Sequence, residues 1–188
     1  MAIIGKLLAN RRAGESALAW YRPNLVCDRT FHLTSPDFEH ETTLDIRHAS
    51  KRIGGADESP ALSWSGVPAD AAQLLLVVED PDAPMRAPFL HCDALLDATL
   101  NTVPRNALRA DTTEPGVLLL RAGWARHYTG PAPIKGHGPH RYVFQLFALP
   151  TPLPTVAGTS VHTAKPRDVL DAATASARAR IDGFYERP

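Results

Sequence analysis

The sequence predicts a mainly β protein: an antiparallel β-sandwich with Greek-key connections, a C-terminal helix and a short N-terminal helical extension. Three observations predict it. Short apolar or alternating segments recur along the chain, each bounded by glycine or proline. Prolines number 17 in 188 residues, and they run through the middle of an apolar-rich chain. A typical chain carries about 5% proline, and this excess argues against a helical bundle and for short strands with ordered loops. Lastly, the body holds one convincing helical segment.

The elements follow in order. Ile3, Ile4, Leu7, Leu8 and Leu18 fit helical spacing within residues 1–22, and Pro23-Asn24 ends any helix there. Residues 1–28 thus read as an extension that packs on its own core or on a neighbouring subunit, and residues 29–188 as the domain. Thr30–Thr34 alternates as a strand does, Thr43–Ile46 suggests another, and Ala61–Trp64 is a short strand closed by Gly66 and Pro68. Leu74–Val78 (LLLVV) is a continuous apolar run, the pattern of a strand buried on both faces. Pro81, Pro84 and Pro88 then impose an ordered loop. Phe89–Leu96, Gly116–Leu120 and Tyr142–Leu149 are further strands, and Lys165–Ala179, alanine-rich with Pro166 at its start, is the predicted helix.

Composition excludes several classes. Twenty basic and 20 acidic residues give a net charge of +0, which removes the electrostatic case for general nucleic-acid binding. No apolar run reaches the roughly 20 residues of a membrane span. At the N-terminus arginines follow the short apolar run, the wrong order for a secretory signal, so a cytoplasmic protein is expected. Cys27 and Cys92 form no CxxC pair and read as two free thiols.

Two stretches concentrate polar chemistry. Glu79-Asp80-Pro81-Asp82-Ala83-Pro84 follows the apolar strand directly, placing acids at a strand end on a proline-stiffened turn. The clustering of prolines there raises the expectation of a cis bond at Ala83–Pro84. The second stretch is a Gly/Pro-rich loop, residues 129–139, feeding His140-Arg141-Tyr142 at the head of a strand. Alternation puts His140 and Tyr142 on one face and Arg141 on the other. An imidazole and a phenol on one face both donate to an anion's oxygens. The other histidines (His32, His40, His48, His127, His137, His162) are expected at the surface. Strand alternation likewise sets Cys92 on the face opposite His91, away from any nucleophilic role.

These stretches resemble the phosphatidylethanolamine-binding proteins, in particular their bacterial and archaeal Raf-kinase-inhibitor-like branch. The resemblance rests on SPALSWSGVP (Ser59–Pro68), VVEDPDAP (Val77–Pro84), His91, GPAPIKGHGPHRYVFQLFAL (Gly130–Leu149) and the terminal FYERP, with residues 1–28 outside it. It implies a sandwich of two antiparallel sheets with one small anion pocket lined by Asp80, His91, His140 and Tyr142. It implies further that Pro84 is a cis-proline shaping the pocket, and that Ala132 and Pro133 form part of the rim. Asp82 and Arg141 would pair in support of the wall, and Trp64 would pack beneath the site in a core role. Two departures bear on ligand size: His127 in the loop and Cys92 after His91.

The functional expectation is a binding or regulatory protein for a phosphorylated or anionic small ligand, or a phospholipid head group of the phosphoethanolamine kind. It needs no metal or other cofactor. A charged imidazole beside Asp80 would hold the anion. The alternative is an inhibitor of a protease or kinase acting through the loops round the pocket; a weak hydrolase ranks last. The resemblance also implies a homodimer.

Overall fold

The computed structural model describes residues 2–187. A short helix α1 (Ala2–Leu8) opens the chain, followed by β1 (His32–Thr34), β2 (Thr42–Thr43) and β3 (Leu62–Ser65). Then come β4 (Gln73–Asp80), β5 (Phe89–Asp97), β6 (Thr102–Val103), β7 (Val117–Leu119) and β8 (His140–Leu149). The chain ends with β9 (Thr155–Val156), β10 (Thr159–Ser160), α2 (Pro166–Ala172) and β11 (Ala177–Tyr185).

A six-stranded sheet in the order β2-β11-β8-β4-β5-β7 faces a three-stranded sheet, β1-β3-β6. Within the larger sheet the order β8-β4-β5-β7 is a Greek key: two successive strands pair, a third follows, and the fourth returns beside the first. Among the described residues the named strands pair antiparallel except for the short β11–β2 pair, which is parallel, as is an isolated bridge between Thr30 and Arg178, a departure from the purely antiparallel expectation. β4 explains the sandwich. Leu74, Leu76 and Val78 enter the core between the sheets, and Leu75 and Val77 enter a second core on the other face. An uninterrupted apolar run is what a strand with two buried faces requires. The second core is closed by α2 (Val169, Leu170) and by Leu25 and Ala19 from the N-terminal extension.

One element departs from its prediction. The helix expected over Lys165–Ala179 stops at Ala172, and Ala177–Tyr185 is a strand paired with β8 over nine residues. The physical reason lies in the period. Ala177, Ala179 and Ile181 are buried while Arg178 and Arg180 on the other face are half-buried, a two-residue alternation. Pairing with a long buried neighbour overrides alanine's helix preference. These arginines are held as well: Arg178 lies over the Trp20 ring at 4.1 Å, and Arg180 donates to Asp182 at 2.6 Å.

Candidate functional site

Three strand ends converge at one end of the large sheet. Asp80 ends β4, His140 and Tyr142 begin β8, and His91 lies near the start of β5. β4 and β5 pair with a register shift: Val78 faces Cys92, the next residue Glu79 faces Leu90, and His91 is the extra residue of a β-bulge. A bulge re-aims a side chain. Here it turns His91 onto the face that already carries Cys92 and Tyr142: its ring meets Tyr142 edge-on at 5.0 Å, and Cys92 lies in the same core as Tyr142. The expectation that Cys92 points away from His91 fails for this reason. Cys92 supplies no nucleophile either way, because it is buried and burial pushes its thiol up.

The four residues expected to line the pocket come together and are all buried. Asp80 accepts from both sides: His140 Nδ1 donates to its Oδ2 at 2.7 Å, and the Asp82 N–H donates to its Oδ1 at 2.8 Å. His91 Nδ1 donates to the Thr129 carbonyl at 2.6 Å, which leaves Nε2 as its free atom. Among the described residues, that Nε2 and the Tyr142 hydroxyl are buried with no hydrogen-bond partner. Burial lowers the His91 pKa, opposed by the Asp80 charge and the Thr129 bond. Burial likewise raises the Tyr142 pKa well above its ordinary value, so the phenol keeps its proton.

A fifth residue belongs to this cluster and was not expected there. His137, placed at the surface by sequence, is buried, and its Nδ1 lies 2.7 Å from His140 Nε2. The signal was in the sequence. Two histidines three apart across Gly138-Pro139 can meet edge-on if the glycine takes a positive φ, and Gly138 has φ 96° with the ring centres 4.8 Å apart. Both ring nitrogens of His140 are thus engaged, so it offers no lone pair to a metal. His48 is also buried rather than exposed, its Nδ1 donating to the Glu58 carbonyl at 2.8 Å.

The supporting residues are rearranged. Asp82 does not pair with the Arg141 guanidinium: its Oδ2 accepts the Arg141 backbone N–H at 2.7 Å, and its charge partner is Arg12 at 2.6 Å. The Arg141 guanidinium instead reaches Asp182 at 2.9 Å. There is no cis peptide bond among the described residues, so Ala83–Pro84 is trans, and the expected cis-Pro84 is corrected. A trans bond suffices because the turn is fixed otherwise, by Asp80 accepting the Asp82 N–H and by Gly14 and Ala13 donating to the carbonyls of Pro81 and Ala83. Ala132 is exposed and Pro133 buried, on the loop between Thr129 and His137. Trp64 is a core residue of the small sheet, its indole N–H donating to the Leu100 carbonyl at 2.8 Å.

Among the described residues no helix is long and apolar enough to cross a membrane. Comparison with known proteins adds the following. The phosphatidylethanolamine-binding protein family model matches residues 34–186. A UPF0098 protein of Mycobacterium tuberculosis is 34% identical over 175 residues, 91% of this chain and 78% of that protein. That coverage exceeds residues 29–188, so the likeness to this relative reaches into the N-terminal extension, whereas the family model begins at residue 34. The crystal structure of Escherichia coli YbcL, described as a new member of the mammalian PEBP family, superposes with a TM-score of 0.74 at 32% identity, covering 84% of this chain and all but 1% of that one. A carboxypeptidase Y inhibitor in complex with its proteinase shares the fold at 21% identity and a TM-score of 0.54, over 85% of each chain.

Proposed function

The chain belongs to the phosphatidylethanolamine-binding protein family, and on that premise we propose that its cluster of Asp80, His91, His140 and Tyr142 is a pocket for a small phosphorylated or anionic ligand. One observation carries the reading: the Tyr142 hydroxyl and His91 Nε2 are buried without partners. Native proteins rarely leave such atoms unpaired, because each costs about 1–3 kcal/mol. A phosphate oxygen accepting from the Tyr142 hydroxyl satisfies the first atom. The second imposes a proton. His91 Nδ1 is already the donor to Thr129, so Nε2 carries a lone pair while the ring is neutral. Binding a phosphate dianion therefore takes up one proton, either on the ring, making an imidazolium, or on the phosphate, as P–OH donating to Nε2.

This shifts the work from where sequence placed it. The imidazole beside Asp80 is His140, and it is engaged on both sides, so His91 and Tyr142 carry the recognition. An ethanolamine ammonium would find both Asp80 oxygens already accepting; the reading accordingly rests on the anion. We read the site as binding its ligand without turning it over, because the thiol beside His91 is buried and stays protonated.

A second reading has one supporting observation. Trp124 is 80% exposed, and through Phe89, 4.9 Å away, it connects to His91. An exposed tryptophan at the rim suits a protein target such as a protease or kinase.

The test is calorimetric titration with inorganic phosphate and with phosphoethanolamine near neutral pH, on wild type and Tyr142→Phe. Wild type should bind both, and the variant should lose about tenfold, the worth of one hydrogen bond to a charged acceptor. Equal affinity in both proteins overturns the assignment. No heat in either favours the protein-directed reading.

A further inference from the structure

The N-terminal segment crosses both loops that build the site. Gly5 rests on the backbone of the 135–137 loop: a Cβ there would lie 2.2 Å from the Lys135 carbonyl oxygen. The Leu8 carbonyl accepts from His137 Nε2 at 2.8 Å. Arg12 pairs with Asp82 at 2.6 Å and donates to the Pro139 carbonyl at 3.3 Å. Apolar burial does little to hold α1, since Ile3, Ile4 and Leu7 are 73%, 55% and 78% exposed. The helix is fastened by polar contacts and backbone fit, which marks it as a segment that opens at low cost.

The hydrogen bonds form a chain: Leu8 carbonyl, His137, His140, Asp80. Its three links need three hydrogens. The carbonyl and the carboxylate only accept. Two neutral imidazoles bring one N–H each, so the closed chain holds one proton more than two neutral rings and a carboxylate. Without Leu8 the need disappears. Water both donates and accepts, so His140 can donate to Asp80, His137 Nδ1 can donate to His140, and water can donate to His137 Nε2. We propose that α1 is a proton-dependent latch over the anion pocket, closed when the His137–His140 pair carries the added proton and released when the pair loses it. What the latch guards rests on the anion-pocket reading; the latch itself does not.

The sign follows from the count. The closed form binds one proton more than the open form, so closure is favoured at low pH and opening as pH rises. The neighbouring ionisable groups do not supply this proton. Asp80 is the acceptor at the end of the chain, Asp82 is engaged by Arg12, and His91 gives its Nδ1 proton to Thr129. Burial raises the pKa of Tyr142, and also that of Tyr185, which pairs with His140 across the strands. Lys6 on α1, Lys135 on the loop and Arg187, whose carbonyl accepts the Gly136 N–H, are the cations of these segments.

The latch has a consequence for binding. Opening releases one proton and anion uptake captures one. Wild-type affinity for phosphate is therefore nearly flat across the histidine range, although the pocket alone favours low pH.

The experiment is hydrogen exchange by mass spectrometry on the full chain, corrected for intrinsic rates, from about pH 5.5 to 8.5, beside phosphate titrations. In wild type, protection of residues 2–9 should fall with rising pH, at most about tenfold per unit. In His137→Gln, whose amide donates at any pH, protection should persist without that slope. In Gly5→Val the side chain meets the Lys135 carbonyl, so α1 should be unprotected throughout. That variant should bind phosphate more tightly than wild type near pH 6 and weaken as pH rises. Protection of α1 in wild type that ignores pH overturns the latch, and so does, where wild type binds phosphate, a Gly5→Val protein that binds it no more tightly. If no variant binds phosphate while α1 protection follows pH and His137→Gln abolishes the slope, the anion reading falls and the latch stands.

Discussion

Glu79 and Asp80 are neighbours on one strand, yet they sit in opposite kinds of chemistry. Asp80 faces the core between the sheets, and both its oxygens accept hydrogen bonds in a connected chain of imidazoles and backbone. Glu79 faces the other side. There it accepts from the Ala19 N–H at 2.8 Å and from the Gln145 amide at 2.9 Å, beside Asp93, whose carboxyl is buried with no hydrogen-bond partner among the described residues. Burial raises the pKa of Glu79; burial and the nearby Glu79 raise that of Asp93 well above its ordinary value. One face thus ties its buried carboxyl into imidazole and backbone donors, whereas on the other burial pushes the carboxyls toward their protonated form. A buried acid is favoured where donors meet both its oxygens, as at Asp80, and costly where none does, as at Asp93.

The largest expected effect breaks the first face. Asp80→Ala leaves His140 Nδ1–H buried without an acceptor and frees the Asp82 N–H. Removing one partner of a buried charged pair costs about 3–5 kcal/mol, or a fall in Tm of roughly 10 °C for a chain of this size. Thermal unfolding near pH 7 measures it. A fall of less than about 2 °C would mean that the Asp80–His140 link carries little, and the contrast between the faces would lose its basis.

Much of this arrangement was legible in the sequence, for identifiable reasons. The run LLLVV announced a strand with two buried faces, and the acids directly after it announced a polar strand end. Alternation placed His140 and Tyr142 together, because a strand has no other way to present residues two apart. What sequence missed depends on pairing between distant segments. The bulge at His91 arises from register with β4, so strict alternation misassigned Cys92. The strand Ala177–Tyr185 reads as helix until β8 is there to pair with it. His137 and Arg12 carried no periodic signal, and their roles exist only because residues 2–14 fold back across the loops. Local pattern reveals which groups are present; long-range docking decides which of them are satisfied.

A smaller effect relieves the second face. Asp93 has a raised pKa in the folded state, so its favourable contribution is complete below the unfolded value and is lost as pH rises through the folded one. At higher pH the folded chain must bury a charge beside Glu79. Asp93→Asn keeps the shape and removes that cost, so it should stabilise the protein, and more at pH 8 than at pH 5. A gain of about 1 kcal/mol, or 2–4 °C in Tm, is expected at pH 8. The same shift at both pH values, or a loss at pH 8, would show that the carboxylate is accommodated by a partner and that the two faces do not differ in kind.

The smallest effect sharpens the comparison on the site's own side. Asp80, His140 and His137 are satisfied, whereas the Tyr142 hydroxyl beside them is not. If that hydroxyl is held in reserve for a ligand, it contributes nothing to the unliganded fold. Tyr142→Phe should then leave Tm unchanged or raise it slightly, by the equivalent of no more than about 1 kcal/mol, because an unpaired buried donor is removed and the ring still packs against His91. A stable variant with weakened phosphate binding separates recognition from folding within one atom. A drop of several degrees would instead give the hydroxyl a structural partner, and the unpaired atoms of this cluster would no longer single out a ligand.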